Sequence, residues 1–136
     1  MNTVLSIQKT LVLGHKRAAI LPRYAGDHYL SLEATIYGVM GSLCPLYNGG
    51  YWQMFELNNG TFFMVPEGFD EIDVTVEGNY FSRTLSAEAA GIVACLMAFN
   101  RMAWRTRDER FNDLFYCLRD FAGEHKEAGA IFAAID

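Results

Sequence analysis

The sequence predicts an α+β fold: a central antiparallel β-sheet of about three to four strands packed with about four α-helices in a single domain. Three observations carry this expectation. Strand-like segments are grouped in the middle of the chain and follow one another through turns rather than helical crossovers, which makes their pairing antiparallel. Helical segments are grouped after Ser86, with one more ahead of the strands. The 136 residues are one domain's worth, and a chain of that size buries roughly two-thirds of its unfolded surface in one core. Residues 1–16 carry no comparable pattern and are expected to form a loosely attached N-terminal segment.

Taken in order, Leu32, Ile36, Val39, Met40 and Leu43 fall at helical spacing. With Ser31 as a cap and Pro45 as a stop they predict a helix from Ser31 to Cys44. Gly38 and Gly41 inside it predict close approach by a neighbouring element. Tyr47 to Glu67 then reads as a glycine-hinged aromatic strand, a turn and a second strand. Asn59-Gly60 fits a two-residue type I′ turn, and pairing outward from it sets Leu57 opposite Phe62, Phe55 opposite Met64 and Gln53 opposite Pro66. That register puts Tyr51, Phe55 and Leu57 on the core face and leaves Trp52 and Phe63 on the other, for a partner or a covering helix.

Glu71 to Glu77 alternates acids and Thr75 with Ile72, Val74 and Val76, the pattern of a half-solvated strand, and Tyr80 to Leu85 returns after Gly78-Asn79. Ser86 is placed to cap a helix whose stretch Ala89 to Phe99 is apolar nearly all round, which predicts a buried central helix. Thr106 and Glu109 form a capping box for the next helix, with Phe111, Leu114, Phe115, Leu118 and Ala122 as its apolar stripe and Gly123 as its stop. Ala128, Ile131, Phe132 and Ile135 predict a short terminal helix.

The net charge of −5 conceals a segregation. Residues 1–26 hold Lys9, Lys16, Arg17 and Arg23 and no acid, residues 27–88 hold nine acids against Arg83 alone, and the remainder is nearly balanced. Glu67, Asp70, Glu71, Asp73 and Glu77 form one acidic edge. Duplex DNA carries about one negative charge per 1.7 Å, so imitating ten base pairs takes roughly twenty unopposed charges. Sixteen acids diluted by eleven bases cannot supply them. Arg101, Arg105, Arg107 and Arg110 beside Trp104 offer the opposite reading, a nucleic-acid-binding module, but Asp108, Glu109 and Asp113 interleave with them and favour ion pairs on a helix surface.

Catalytic signals are missing. His15, His28 and His125 lie far apart and match no metal or nucleophile spacing, and Cys44, Cys95 and Cys117 form no CxxC. Reduced thiols are expected, with Cys95 buried in its apolar run. No enzyme activity, metal or cofactor is expected. No apolar run is long enough to span a membrane, and the basic cluster follows the N-terminal apolar residues, the reverse of a secretory leader, which predicts a cytoplasmic location.

Four blocks, ILPRYAG (Ile20 to Gly26), LEATIYGVMGSLC (Leu32 to Cys44), the GGYW hairpin with Met-Val-Pro, and SAEAAGIVACLMAFN (Ser86 to Asn100), together resemble the ArdB/KlcA family of antirestriction proteins. The resemblance implies a small protein of plasmids and other mobile DNA that relieves type I restriction of the incoming element. Protein binding is the expected mode, to the restriction complex or a host regulator, by a monomer or a homodimer with no membrane partner. The candidate partner-binding residues are Trp52, Phe63, Glu67, Asp70, Glu71, Asp73 and Asp136. Large aromatics near a rigid hinge are favoured interface anchors, the acids would meet a basic partner, and the terminal Asp136 either frays or contacts that partner.

Overall fold

In the computed structural model, which describes residues 6–136, the chain begins with strand β1 (Lys9–Leu11). A 3-10 stretch (Gly14–Ala19) leads into the short helix α1 (Ile20–Ala25), and a second 3-10 turn leads into α2 (Tyr29–Leu43). The hairpin β2 (Trp52–Leu57) and β3 (Phe62–Pro66) follows, then β4 (Glu71–Val76) and β5 (Phe81–Ser86). Helices α3 (Ala87–Thr106), α4 (Glu109–Glu124) and α5 (Ala128–Ile135) complete an α+β domain.

The strands form two antiparallel sheets, not one: β1-β2-β3 and β4-β5. The reason lies at the free edge of β3. The hairpin ladder points the backbone groups of Gln53, Phe55 and Leu57 at β3, so those of Phe62 and Met64 point outward. Helix α3 covers that edge. The Met64 amide donates to Cys95 Sγ at 3.4 Å, and the Met64 carbonyl lies against Gly91, where a Cβ would meet its oxygen at 2.2 Å. A strand cannot pair where a helix already sits, so β4 pairs with β5 and packs toward α2 instead.

The hairpin corrects the predicted register by one residue. Trp52 pairs with Pro66, Met54 with Met64, Phe55 with Phe63 and Glu56 with Phe62. The turn is a three-residue loop in which only Gly60 takes a positive φ, +97°, while Leu57 N–H donates to the Thr61 carbonyl at 2.9 Å. This is a type I turn closed by a glycine bulge rather than the type I′ turn. Helix α4 selects it: Asn59 Nδ2 donates to the Cys117 carbonyl at 2.8 Å and Thr61 Oγ1 to the Leu114 carbonyl at 3.1 Å.

Helix α3 is the centre of the core, with twelve of its twenty residues buried. Ser86 caps it as expected, accepting from the Ala89 amide at 3.0 Å. Other boundaries shift. Helix α2 begins at Tyr29 without a side-chain cap, and Gly38 and Gly41 face open space, so no neighbour requires them. Asp108, not Thr106, caps α4, its Oδ1 accepting from the Arg110 amide at 3.0 Å. Thr106 is the last residue of α3 and turns its hydroxyl back to the Met102 carbonyl at 2.7 Å. Helix α4 runs through Gly123 to Glu124. Within the segment expected to be loose, β1 is hydrogen-bonded to β2 in the register Lys9–Leu57 to Leu11–Phe55, while residues 1–5 lie outside the described residues.

Candidate functional site

The acidic edge is built as the alternation of β4 predicts. Ile72 and Val74 are buried, while Glu71 and Asp73 project to solvent beside Asp70, whose carbonyl accepts from the Ala87 amide at 3.1 Å. Glu67 is exposed just after β3. Among the described residues none of Glu67, Asp70, Glu71 and Asp73 enters an ion pair, whereas Glu56 is paired to Arg23 at 2.8 Å and Glu88 to Lys9. Glu71 and Asp73 also border a groove of 320 Å³ whose walls include Cys44, Leu46, Phe69 and Thr84. Leu46 is 81% exposed there. The groove therefore offers apolar surface rimmed by free negative charge, with Thr84 Oγ1 orienting the Asp73 carboxylate from 2.6 Å.

Two predicted residues leave the candidate surface. Trp52 is 2% exposed and Phe63 fully buried. Trp52 packs against the Tyr37 and Tyr47 rings at 5.4 and 5.7 Å and donates its indole N–H to Tyr47 Oη at 2.8 Å. Phe63 stacks between Phe55 and Phe121 at 5.2 and 5.5 Å. Neither offers a face to a partner. Asp136 is exposed but lies at the opposite end of the β4-β5 ribbon from Asp70 and Glu71, about 17 Å of strand away. The chain end is held there: Asn79 Nδ2 donates to the main-chain oxygens of Ala134 and Asp136, each at 2.9 Å, and the terminal helix is capped rather than frayed.

Tyr51, assigned by sequence to the core, is 58% exposed. Arg17 lies over its ring at 4.2 Å and donates to the Trp52 carbonyl at 2.6 Å. Together with Leu30, 64% exposed, and Glu33, Arg17 lines a second groove of 310 Å³. The aromatic hairpin and the acid-free N-terminal segment were both visible in the sequence, but the inverted strand phase concealed that they meet. At the arginine patch, Arg110 pairs with Asp108 at 3.0 Å, and Arg107 sits 5.4 Å over the exposed Trp104 ring. Of the four arginines in this patch, among the described residues only Arg110 enters an ion pair.

A polar cluster that sequence spacing could not reveal ties α3 to the α4–α5 turn. His125 Nε2 meets Glu88 Oε2 at 2.8 Å while its Nδ1 accepts from the Glu127 amide at 3.0 Å, and Glu127 binds the Ser86 hydroxyl and amide. The Ser86 hydroxyl is directed to Glu127 and not to His125. Burial pushes the Glu88 carboxyl up, but hydrogen bonds from Lys9 and His125 and the charge of Lys9 outweigh it and hold it below the ordinary glutamate range. Burial is likewise outweighed at Glu127 by its Ser86 bonds. Both carboxylates therefore stabilise the fold above their unfolded pKa, and that stability is lost as pH falls through the folded values. Thermal melts should show the protein weakening below about pH 4.3. Glu88→Gln should blunt this loss, and an unchanged acid profile would count against the cluster.

Among the described residues, no group of three or more His, Cys, Asp and Glu is arranged to hold a metal, and no helix is long and apolar enough to cross a membrane. Cys44 and Cys95 are both buried, and burial pushes the Cys95 thiol up to about 12.

Comparison with known proteins places this architecture. KlcA of Escherichia coli, an antirestriction protein, is 42% identical over 137 residues, covering 96% of this chain and 94% of that protein. A second Escherichia coli KlcA is 37% identical over 135 residues, covering 96% and 95%. A solved chain from work on the KlcA and ArdB proteins matches with a TM-score of 0.87 and 41% identity over the whole of both chains. Those proteins show a novel fold and antirestriction activity against type I DNA restriction systems in vivo but not in vitro. The family model for antirestriction proteins matches residues 45–136, from the approach to the hairpin through the terminal helix, and the chain belongs to that family.

Proposed function

We propose that this protein protects incoming mobile DNA from type I restriction-modification in the bacterial cytoplasm by binding a protein, without catalysis, cofactor or imitation of DNA. The observation that carries the reading is the juxtaposition at β4 of unpaired Glu71 and Asp73 with the apolar groove bearing Leu46 and Phe69. Apolar surface rimmed by charge is the composition of a protein interface. A DNA surrogate would instead need a regular run of roughly twenty charges per ten base pairs. Glu67 and Asp70 extend the same edge, and Asp136 marks a separate contact. Activity of the KlcA and ArdB proteins in vivo but not in vitro supports a target that includes a cellular component, such as a host regulator of restriction, beyond the bare enzyme complex.

The test is a variant carrying Asp70→Asn, Glu71→Gln and Asp73→Asn, which keeps size and removes charge. Restriction relief in a host with a type I system should fall, while thermal stability stays within about 1 kcal/mol because exposed charges contribute little to folding. Full relief by the folded variant would return these acids to a solvated face. A mobility titration of the parent on duplex and single-stranded DNA at two salt concentrations checks the alternative of direct nucleic-acid binding. Tight binding with a steep salt dependence would overturn the protein-binding reading.

A further inference from the structure

The two edges of the three-stranded sheet are treated differently. Helix α3 covers the β3 edge, whereas among the described residues no strand lies beyond β1. The ladder fixes which groups are left open. Val12 N–H donates to the Met54 carbonyl at 2.9 Å and Asn58 N–H to the Gln8 carbonyl at 3.1 Å, so Gln8, Thr10 and Val12 direct their backbone groups at β2. Lys9 and Leu11 direct theirs outward. The backbone stays extended through Leu13, at φ −111° and ψ 153°, which prolongs the open edge by one more outward residue. Natural sheets usually blunt such an edge. Here the strand is short and opens on a lysine, but Glu88 engages Lys9 and the edge runs on to present Leu11 and Leu13, 38% and 68% exposed.

Beside the edge runs a groove of 550 Å³ between β1 and the 3-10 stretch with α1, walled by Leu11, Leu13 and Ile20 and rimmed by Lys16 and Arg23. Its one acid, Glu56, is already held by Arg23 and Tyr24. Lys16 has no ion-pair partner among the described residues. Lys9 is half-exposed at the start of the strand and is engaged by Glu88. Open backbone donors and acceptors, apolar pockets alongside and a cationic rim are together the recognition chemistry of strand addition.

We propose that the β1 edge receives an extended segment of a partner protein, rich in acidic residues alternating with apolar ones, as a fourth strand of the sheet. Main-chain bonds form to Lys9 and Leu11, apolar side chains enter the groove, and carboxylates reach Lys16. This surface is separate from the acidic β4 edge and does not rest on the reading of that edge.

The test uses amide NMR on the full chain with a short peptide of alternating Glu and Val, and its Lys and Val counterpart as control. In the free protein the Lys9 and Leu11 amides should exchange fast and those of Thr10 and Val12 slowly. The acidic peptide should slow Lys9 and Leu11 selectively, and the basic peptide should not. Leu11→Pro removes an outward N–H that the ladder to β2 does not use, and should weaken peptide binding roughly tenfold, the equivalent of one hydrogen bond. Lys16→Glu, a surface change that leaves the backbone alone, should also weaken it. Unchanged exchange at Lys9 and Leu11 with saturating acidic peptide would overturn the proposal. So would equal response to both peptides, or concentration-dependent self-association protecting the same amides, which would assign the edge to a second copy. Because the readout is binding and not restriction relief, failure here leaves the acidic-edge reading standing, and failure of that reading leaves this one testable.

Discussion

Trp52→Ala is expected to destabilise the protein by about 3–5 kcal/mol, while Tyr51→Ala costs about 1 kcal/mol or less. The indole is fully enclosed, touches two tyrosine rings and donates to Tyr47 Oη, so truncation leaves a cavity and removes the indole donor that Tyr47 accepts. A domain of this size has only about 5–15 kcal/mol to lose, and the Trp52 variant should appear mostly as insoluble or protease-sensitive chain. Tyr51 loses an exposed ring stacked on Arg17. Urea denaturation of both variants beside the parent is the check. The opposite ordering, a folded Trp52→Ala protein and an unstable Tyr51→Ala protein, would show that the strand register is wrong. Should Tyr51→Ala fold normally yet lose restriction relief, the groove lined by Arg17, Leu30 and Glu33 would join the functional surface.

Why the sequence misled at these two neighbours is a matter of local physics. Register can be read from alternation only when one face of a strand is polar. All five residues of β3 are buried, because Phe62 faces Phe99 and Tyr24 on one side while Phe63 faces Phe121 on the other. With no wet face, the turn alone had to decide the phase, and Asn59-Gly60 suits either a type I′ turn or a type I turn with a glycine bulge. The choice between them is made by α4 carbonyls more than fifty residues away in sequence. β4 shows the contrary case: its alternation of acids and aliphatics is half-wet, its start and its exposed residues follow the pattern, and it ends at Val76, one residue short of Glu77.

The same reasoning divides the candidate site. The acidic edge was legible because charge on a half-solvated strand reports its own exposure. The groove beside it was not, since Leu46 and Phe69 come from segments without periodicity and meet β4 only in the folded chain. The Lys9–Glu88–His125 cluster likewise joins three distant positions with no spacing rule between them. Helix ends were legible to the residue where Ser86 caps α3 but only to within a turn elsewhere, as the capping of α4 by Asp108 instead of Thr106 illustrates.

Gly91→Ala is the second substitution expected to act strongly, at about 3 kcal/mol, the upper end of what overpacking usually costs. A methyl group there would sit 2.2 Å from the Met64 oxygen and 3.1 Å from the Val65 Cα. Both are backbone atoms of β3, so no rotamer change relieves the clash, and α3 must move away from the sheet edge it covers. That movement also stretches the Met64 amide contact to Cys95 Sγ, exposing the edge of β3. Gly38→Ala and Gly41→Ala are the controls. They lie in α2 with open space around them, and each should stabilise the protein by about 0.5–1 kcal/mol through helix propensity and a less flexible unfolded chain. Denaturation midpoints of the three variants decide the matter: a Gly91→Ala protein as stable as the parent would mean that helix and strand are not in contact as described. Restriction relief should fall with Gly91→Ala in proportion to lost folded protein, in contrast to the charge-neutralised β4 edge, where relief falls and the fold remains.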